Sequence, residues 1–298
     1  MSKISQLLNK YDIKPIKYQK QGKVTIVETN DRKYVIKENN HNDEIYNYLK
    51  SRSFDYFPRL INEQDDDYEI TEYQDMVKMP EEQKIYDMIE LVALLHNKTS
   101  FYKGIDNDEY KKIYEDLSNN IEYLYSYYSD LITIIETKVY MSPSEYLLAR
   151  NISVIFNRLQ TVKVDLDNWY AIVKDKQKVR HVVLHNNLEP SHFIKNENNF
   201  LINWDKSKID MPIFDLYKFY LKNSEYNFED ILDRYEQKYP LLKEEKMLLF
   251  ILIRIPELPK VTEDEFINTN TIRKMLLNIE KSNSLHLPNN SEYEPNHQ

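Results

Sequence analysis

Hydrophobic and polar positions alternate in short runs over residues 1–75, which predicts β-strands in this part of the chain. Two runs rich in β-branched and aromatic residues are separated by the polar turn Asn30-Asp31-Arg32, an arrangement typical of a β-hairpin. The predicted elements are strands at Lys23–Thr29, Lys33–Lys37 and Tyr68–Tyr73 and a helix from about Asn42 to Lys50. Residues 1–75 are therefore predicted to form a small β-rich N-terminal lobe.

From about Pro80 onwards the apolar positions follow helical spacing. Ile85, Met88, Ile89 and Val92 lie at i, i+3, i+4 and i+7 and define one face that we expect to be buried. The predicted helices cover about 108–138, 143–163, 213–222, 227–238, 242–254 and 263–280, with a strand-rich segment at 182–204. Residues 76–281 are predicted to form a larger, mainly helical lobe, and the polar, Pro/Asn-rich residues 282–298 a disordered tail.

Composition narrows the class of protein. A chain of 298 residues with 41% hydrophobic content can bury a sizeable core, and the absence of cysteine excludes disulfides, thiolate zinc sites and cysteine nucleophiles. The formal net charge of −9 argues against a general nucleic-acid binder, because such proteins neutralise phosphates with lysine and arginine. The longest apolar run, Met247–Ile253, is too short to span a membrane, and the N-terminal residues lack the apolar core of a signal peptide. These features predict a cytoplasmic protein without nucleic-acid or membrane partners.

The most informative segment lies between His185 and Leu216. It begins with a histidine-led loop, HNNLEPSHFI, and continues through a short hairpin to an Asn-Trp strand end and then to Pro-x-x-Asp-Leu at a predicted helix start. This order resembles the aminoglycoside phosphotransferases and choline kinases of the protein-kinase-like superfamily. Their catalytic segment is H-G-D-x-x-P-x-N, followed by I-D-[WF] and P-x-x-D-L. The resemblance implies a two-lobed α+β fold with a small β-rich N-lobe and a larger helical C-lobe.

The resemblance also implies that polar substitutes stand at the positions that carry the chemistry of that superfamily. Asn187 occupies the position of the catalytic aspartate. His192 occupies that of the metal-binding asparagine in the loop, and Asn203 that of the second metal-binding aspartate. The positions that the resemblance implies to be architectural are kept, and they are His185, Pro212 and Asp215.

These substitutions matter because phosphoryl transfer depends on metal ions that bridge the phosphates and on a carboxylate that orients the incoming hydroxyl. Asn187 is neutral and cannot accept a proton as aspartate would. Asn203 offers Mg²⁺ an amide oxygen without negative charge, and the imidazole of His192 suits softer transition metals. Together the three changes predict weak or absent kinase chemistry and no bound cofactor, with weak binding of ATP or Mg²⁺ as the alternative.

In the N-terminal lobe, the resemblance implies a vestigial nucleotide site. Lys37 ends the strand YVIK and matches the lysine that holds nucleotide phosphates, and Glu44, less favourably Asp43, is its expected helix partner. A phosphate-covering loop is expected before or between the first two strands, where Gly22 lies. Close backbone approach to phosphates normally uses several glycines, and the chain has only two.

The sequence leaves open three ways in which other residues could take over the missing catalytic or metal-binding roles. Asp205, two residues after Asn203, could reach a cation. Glu189, two residues after Asn187, could act as the base. His181, His185 and His192 could instead surround a metal ion.

A second resemblance lies downstream. The stretch at 235–261, YEQKYPLLKEEKMLLFILIRIPELPKV, is similar to the spore-coat branch of the superfamily, and so are Ser191-His192-Phe193 and Asn203. This resemblance implies a sporulating Firmicute source, a coat or mother-cell role and protein partners from the spore coat.

Taken together, the residues and the resemblance predict a pseudokinase that acts as a structural or interaction module. The alternatives are a small-molecule phosphotransferase with atypical catalytic residues and a nucleotide-binding protein without transfer.

Overall fold

The computed structural model describes residues 3–39, 43–62, 67–105, 107–283 and 285, and its fold is α+β, with a small antiparallel sheet and a larger helical part. The helices are α1 (Lys3–Lys10), α2 (Asp43–Ser51), α3 (Glu81–Thr99), α4 (Asn107–Glu136), α5 (Pro143–Val173), α6 (Ile213–Lys222), α7 (Phe228–Lys238), α8 (Lys243–Arg254) and α9 (Glu265–Lys281). The strands are β1 (Lys17–Gln21), β2 (Val24–Glu28), β3 (Lys33–Glu38), β4 (Tyr68–Glu72), β5 (Phe101–Gly104), β6 (Lys178–Leu184), β7 (Phe193–Lys195), β8 (Asn199–Leu201) and β9 (Lys208–Asp210).

The chain divides into two compact units, each assembled from separate stretches of sequence. Unit 1 consists of Met1–Ser100, Val182–Asp210 and Ile231–Tyr239, and unit 2 of Phe101–His181, Met211–Asp230 and Pro240–Gln298. In this division, the histidine-led loop belongs to the same compact unit as the N-terminal residues. The predicted lobe boundary near residue 75 is a different kind of division and stays a prediction.

Unit 1 contains a four-stranded antiparallel sheet in the order β1-β2-β3-β4. The predicted hairpin is confirmed as β2 and β3, and the predicted third strand as β4. Alternate residues of these strands point to one face, so Val27, Ile36 and Ile70 form a core with Leu7 and Leu8 of α1. Burial of these side chains is what holds α1 on the sheet.

The sequence pattern did not predict α1 or β1. Strand β1 has the sequence KYQKQ, is exposed along its whole length and forms the edge of the sheet. It carries no apolar alternation, because an edge strand that covers no core needs none. Gly22, with a φ of 60°, makes the turn into β2 in a backbone region that favours glycine.

The rest of unit 1 carries the histidine-led loop. In α3, the predicted face of Ile85, Met88, Ile89 and Val92 is buried, as expected. Residues 182–184 of β6 pair with β9, and β7 pairs with β8 in a short hairpin. These pairings fix both ends of the segment from His185 to Ser207.

Unit 2 is built mainly from helices, with α4, α5, α8 and α9 packed together. Helix α5 continues ten residues past the predicted end at 163, because Leu166, Trp169 and Val173 extend its buried face through a stretch of polar residues. No described helix combines the length and the hydrophobicity needed to cross a bilayer.

An arginine side chain connects the last described residues of unit 2 to helix α5. Arg254 Nη1 donates to Asp165 Oδ2 at 3.2 Å and its guanidinium also reaches the backbone carbonyls of Ser282 and Leu285. Residues 286–298, which make up most of the tail predicted to be disordered, lie outside the described residues.

Unit 2 also contains a buried ion pair. Arg180 Nε donates to Glu245 Oε1 at 2.9 Å, a second bond joins Nη2 to Oε2, and the two side chains are only 11% and 4% exposed. Removing one partner of such a pair leaves an uncompensated charge in a medium of low polarity.

Glu245→Ala is therefore expected to lower the free energy of unfolding by about 3–5 kcal/mol. Glu115→Ala is the matched control, since Glu115 is 56% exposed in an i,i+4 pair with Lys111. It should cost less than about 1 kcal/mol. Urea denaturation followed by circular dichroism measures both. Equal losses for the two variants would show that the Arg180–Glu245 pair contributes nothing special.

Candidate functional site

The site is built around Lys37, in unit 1. Lys37 lies on β3 directly opposite Glu69 of β4 in the strand register, and its ammonium Nζ is 3.2 Å from Glu69 Oε2. It also donates to Asp205 Oδ1 at 2.7 Å. The side chains of Lys37, Glu69 and Asp205 are 19%, 7% and 36% exposed. The ammonium group is thus enclosed by two carboxylates, one buried and one at the surface.

This ion triad of Lys37, Glu69 and Asp205 has one more negative than positive charge. Burial by itself lowers the pKa of Lys37, but the charges of Glu69 and Asp205 outweigh burial and raise it. Burial raises the pKa of Glu69, and Lys37 only partly offsets the effect. Burial, reinforced by the same carboxylates and by Asp43, raises the pKa of the Tyr46 phenol. All three pKa shifts favour the protonated form of the group, which makes the site less negative.

The predicted pairing of Lys37 with Glu44 is not the one observed. Glu44 lies in the first turn of α2 and is exposed. Glu69 takes the lysine because the pairing of β3 with β4 places it directly across from Lys37, whereas Glu44 is seven residues further along the chain on a separate element. Among the described residues, the ion pairs of Lys37 are with Glu69 and Asp205.

The loop after β6 begins with His185, which is fully buried. Its Nε2 donates to the backbone carbonyl of Ile202 at 2.9 Å, and its ring lies edge-on to Trp204 with centroids 4.8 Å apart. These contacts join the start of the loop to the strand end after β8. His185 therefore holds together the two segments that carry Asn187, His192 and Asn203.

Hydrogen bonds connect Asn187, His192 and Asn203. His192 Nδ1 lies 2.7 Å from the backbone carbonyl oxygen of Asn187, and Asn203 Nδ2 lies 3.0 Å from His192 Nε2. A carbonyl only accepts and an amide NH₂ only donates, so one arrangement satisfies both bonds. His192 is then a neutral imidazole with its proton on Nδ1 and its Nε2 lone pair directed at Asn203.

Two asparagines in the left-handed backbone region shape the same segment. Asn186 has a φ of 61° and Asn203 a φ of 69°, a conformation that asparagine tolerates better than most residues. Asn186 Nδ2 donates to the carbonyl of Lys206 at 2.7 Å and so pins the 3₁₀ turn at Trp204–Lys206. This turn places Asp205 beside Lys37.

Other predicted site residues fall in two places. Glu189 Oε2 is 4.0 Å from His192 Nε2. His181, Pro212 and Asp215 belong to unit 2, where Pro212 precedes α6 and Asp215 is buried in its first turn. No group of three or more His, Asp or Glu in the described residues could hold a metal ion. The three-histidine site considered from the sequence is therefore not formed.

Sequence reasoning missed Glu69 as a site residue and underrated Asp205. Glu69 lies in YEITEY, where an acidic residue in a half-exposed strand is unremarkable. Only the register between β3 and β4 singles it out. A lysine at one strand end and a glutamate on another predicted strand are the sole signal, and strand pairing does not follow from spacing in the chain.

Comparison with known proteins identifies the fold. No protein-family model and no curated protein matches the chain. Among solved structures, an aminoglycoside phosphotransferase from Alicyclobacillus acidocaldarius is 13% identical, with a TM-score of 0.68 over 93% of this chain and 92% of that one. The AMP-bound complex of a spectinomycin phosphotransferase is 11% identical, with a TM-score of 0.50 over 96% of each chain. These likenesses show an aminoglycoside-phosphotransferase-like, kinase-like fold.

The proton position on His192 is directly testable. Long-range NMR correlations of the histidine ring nitrogens should show Nδ1 protonated and Nε2 unprotonated, with assignment by comparison with His192→Gln. Asn203→Asp replaces the donor to Nε2 by an acceptor, so Nε2 should become protonated in that variant. A proton on Nε2 in the unmodified protein would contradict the hydrogen-bond arrangement.

The raised pKa of Glu69 predicts a pH dependence of stability. Because the folded state holds the Glu69 proton more tightly than the unfolded state, ionisation of this group opposes folding as the pH rises above the ordinary glutamate pKa of 4.5. In Glu69→Gln this contribution disappears, so stability should fall less, or rise more, between that pH and neutrality.

The measurement is the difference in unfolding free energy between Glu69→Gln and the unmodified protein across this pH range. Glu72→Gln is the control, since Glu72 lies on the same strand but is 41% exposed and pairs with Arg32 at the surface. Parallel pH profiles for Glu69→Gln and the unmodified protein would refute the assignment.

Proposed function

We propose that this chain is a pseudokinase, a kinase-like fold that transfers no phosphoryl group and serves as a structural or interaction module. The observation that carries the proposal is the hydrogen bond between Asn203 and His192. These are the two positions at which the resemblance implies metal ligands, and here the Asn203 amide nitrogen occupies the Nε2 lone pair of His192.

Metal binding is disfavoured by the kind of atoms that face each other. Mg²⁺ prefers carboxylate and other oxygen ligands and demands near-octahedral geometry. The Nε2 lone pair of His192 already accepts from Asn203, and Nδ1 donates to Asn187. A cation would have to displace the Asn203 amide to reach Nε2 of His192, and Asn203 itself offers only one neutral amide oxygen, a weak ligand set for a magnesium ion.

Phosphate binding is disfavoured by the state of Lys37. Its ammonium group is already neutralised by Glu69 and Asp205, whose summed charge exceeds its own. A triphosphate would bring further negative charge towards a cluster with a net negative charge. Without a bound cation, electrostatic repulsion opposes that approach at short range.

General-base catalysis lacks its group at the expected position. The Asn187 side chain is a neutral amide, and the backbone carbonyl of the same residue is the acceptor for His192. Catalysis of this class uses a carboxylate to orient the attacking hydroxyl. Positioning alone would leave a much slower reaction.

Asp205 favours a second candidate, a small-molecule phosphotransferase with rearranged ligands. It supplies a carboxylate two residues after Asn203, and 36% of its side chain is exposed. If Asp205 left Lys37 and bound a cation, the lysine would become available for phosphates. Nucleotide binding without transfer would need only the second of these events.

A role in the spore coat is the finer part of the proposal. It rests on the resemblance of residues 235–261 to the spore-coat branch, and it makes coat proteins the expected partners. Its test is recovery of the protein with the coat fraction of purified spores of the source organism. Absence from that fraction would remove this part and leave the pseudokinase proposal intact.

The nucleotide test is a thermal-shift titration with ATP and GTP, with and without Mg²⁺ or Mn²⁺. A ligand at about 100 times its dissociation constant stabilises the native state by about 2.7 kcal/mol, so binding is easily seen. We expect no shift up to about millimolar nucleotide. A metal-dependent shift with turnover that is lost in Asp205→Ala would replace the proposal by the phosphotransferase alternative.

Two further variants distinguish the possible reasons for an absence of nucleotide binding. Asp205→Asn removes one of the two carboxylates that neutralise Lys37, leaving its pair with Glu69, and restores no metal ligand. A gain of metal-independent nucleotide binding in this variant would show that the charge of the ion triad prevents binding. The triple reversion Asn187→Asp, His192→Asn and Asn203→Asp restores the implied ligands. If it binds Mg-ATP and the unmodified protein does not, the three substitutions account for the silence. Binding by neither variant would place the block elsewhere in the fold.

A further inference from the structure

The most exposed apolar side chains among the described residues of unit 2 lie in two stretches, between α4 and α5 and around the start of α9. Val139 and Tyr140, in the turn between α4 and α5, are each 89% exposed, and Phe266, in the first turn of α9, is 76% exposed. Val261 is 69% exposed, and Met141 adds a further 38% exposed side chain. Contiguous apolar surface of this kind on a folded protein marks an interaction site.

The two stretches that supply these residues are joined by a direct contact. The backbone N–H of Ser144 donates to the carboxylate of Glu265, and Ser142 caps α5. Tyr140 lies two residues before Ser142, and Phe266 follows Glu265. Residues 139–141 and Phe266 are therefore close to this contact, and together with Val261, five residues before Phe266, we call them the tip patch (residues 139–141, 261 and 266).

Acidic residues flank the tip patch along the chain. They are Glu136, Glu145, Glu263, Asp264 and Glu265, against two lysines, Lys138 and Lys260. Lys138 is itself paired with Glu145. A symmetric dimer that faced this patch with itself would bring two acidic rims together, and like charges across an interface are costly. The complementary partner surface is apolar at its centre and basic at its edge.

Unit 1 presents such a surface on β1 and its flanks, the basic strip (residues 14–23). Residues 13–27 contain four lysines, Lys14, Lys17, Lys20 and Lys23, and no acidic residue. Asp12 pairs with Lys14 and Glu28 lies opposite Lys17 in the sheet, so Lys20 and Lys23 carry the charge of the strip. All four lysines are exposed, and Ile16 and Tyr18 between them are 63% and 48% exposed. This concentration of positive charge stands out in a chain with a net charge of −9.

We propose that the tip patch of one copy of this chain binds the basic strip of a second copy. The apolar groups of the two surfaces supply the buried area, and the lysines meet the acidic rim. Because the two surfaces differ, the contact is heterologous and leaves one patch and one strip free at the ends. Such contacts build rings if the rotation closes and filaments if it does not. This inference goes beyond the proposed function, since it holds whether or not the site binds nucleotide.

Salt should affect the contact in a characteristic way. At about 0.1 M salt the Debye length is about 10 Å, so repulsion between the net charges of two copies is screened while contacts between neighbouring groups persist. At about 1 M salt the charge contacts are screened as well. Self-association should therefore be strongest at moderate ionic strength.

Sedimentation velocity over a wide range of protein concentrations measures the association of the full chain. Two charge reversals break one surface each, Lys20→Glu with Lys23→Glu on the strip and Glu136→Lys with Glu263→Lys beside the tip patch. Each double variant alone should associate at least about tenfold more weakly, because like charges then face each other. An equimolar mixture of the two should associate again, since the intact patch of one meets the intact strip of the other.

Two controls address charge and apolar area. Lys111→Glu with Lys112→Glu makes the same change in net charge as the double variant of the strip, but on α4, about 36 Å along the helix from Glu136 at about 1.5 Å per residue. It should leave association unchanged. Tyr140→Ser with Phe266→Ser should weaken association without altering net charge.

A monomer at every concentration and ionic strength would overturn the proposal. So would association that survives both charge reversals, because it would have to use another surface. Loss in each reversal without recovery in the mixture would also overturn it, since recovery is the property that pairs these two surfaces with each other. Nucleotide binding has no bearing on any of these outcomes.

Discussion

The ammonium group of Lys37, held between Glu69 and Asp205, is the interaction on which the candidate site depends. It joins the sheet of unit 1 to the 3₁₀ turn after β8 through one donor and two carboxylates. Asn186 and Asn203, both in the left-handed backbone region, set the path of the chain that brings Asp205 to the lysine. Breaking the ion triad would leave Glu69 buried without its partner, and uncompensated buried charge is costly. The ion triad is therefore stabilised by the same two carboxylates that a bound nucleotide would have to displace from Lys37.

Much of the fold follows from the sequence because burial imposes a period. The β2-β3 hairpin and β4 were expected from alternation, and the buried face of α3 from helical spacing. Elements that bury few side chains show no such period in the sequence. Strand β1 is exposed along its length, and α1 buries only Leu7 and Leu8. Neither was predicted, for the same physical reason.

The site divides along a similar line. The connected segment from His185 to Asn203 could be located because its residues are close in the sequence and keep a fixed order. The partners of Lys37 could not, since Asp205 lies 168 positions away and Glu69 is placed by strand register. The pairing with Glu44 was inferred from closeness along the chain, and the observed pairing depends on closeness in space. Contacts that depend on strand register are therefore the hardest to predict from a single sequence.

Electrostatics couples the substitutions at the site to one another. Aspartates at positions 187 and 203 would add two negative charges to a unit that already holds Glu69, Asp205 and Asp43 around one lysine. Only a bound cation could compensate such a cluster. In a protein that binds no cation, replacing both aspartates by asparagine keeps similar shape and hydrogen-bonding capacity while removing the charge. His192 then completes the arrangement, because a neutral imidazole can donate to the Asn187 carbonyl and accept from the Asn203 amide at once. The three neutral residues thus form a mutually consistent set of hydrogen-bonding groups.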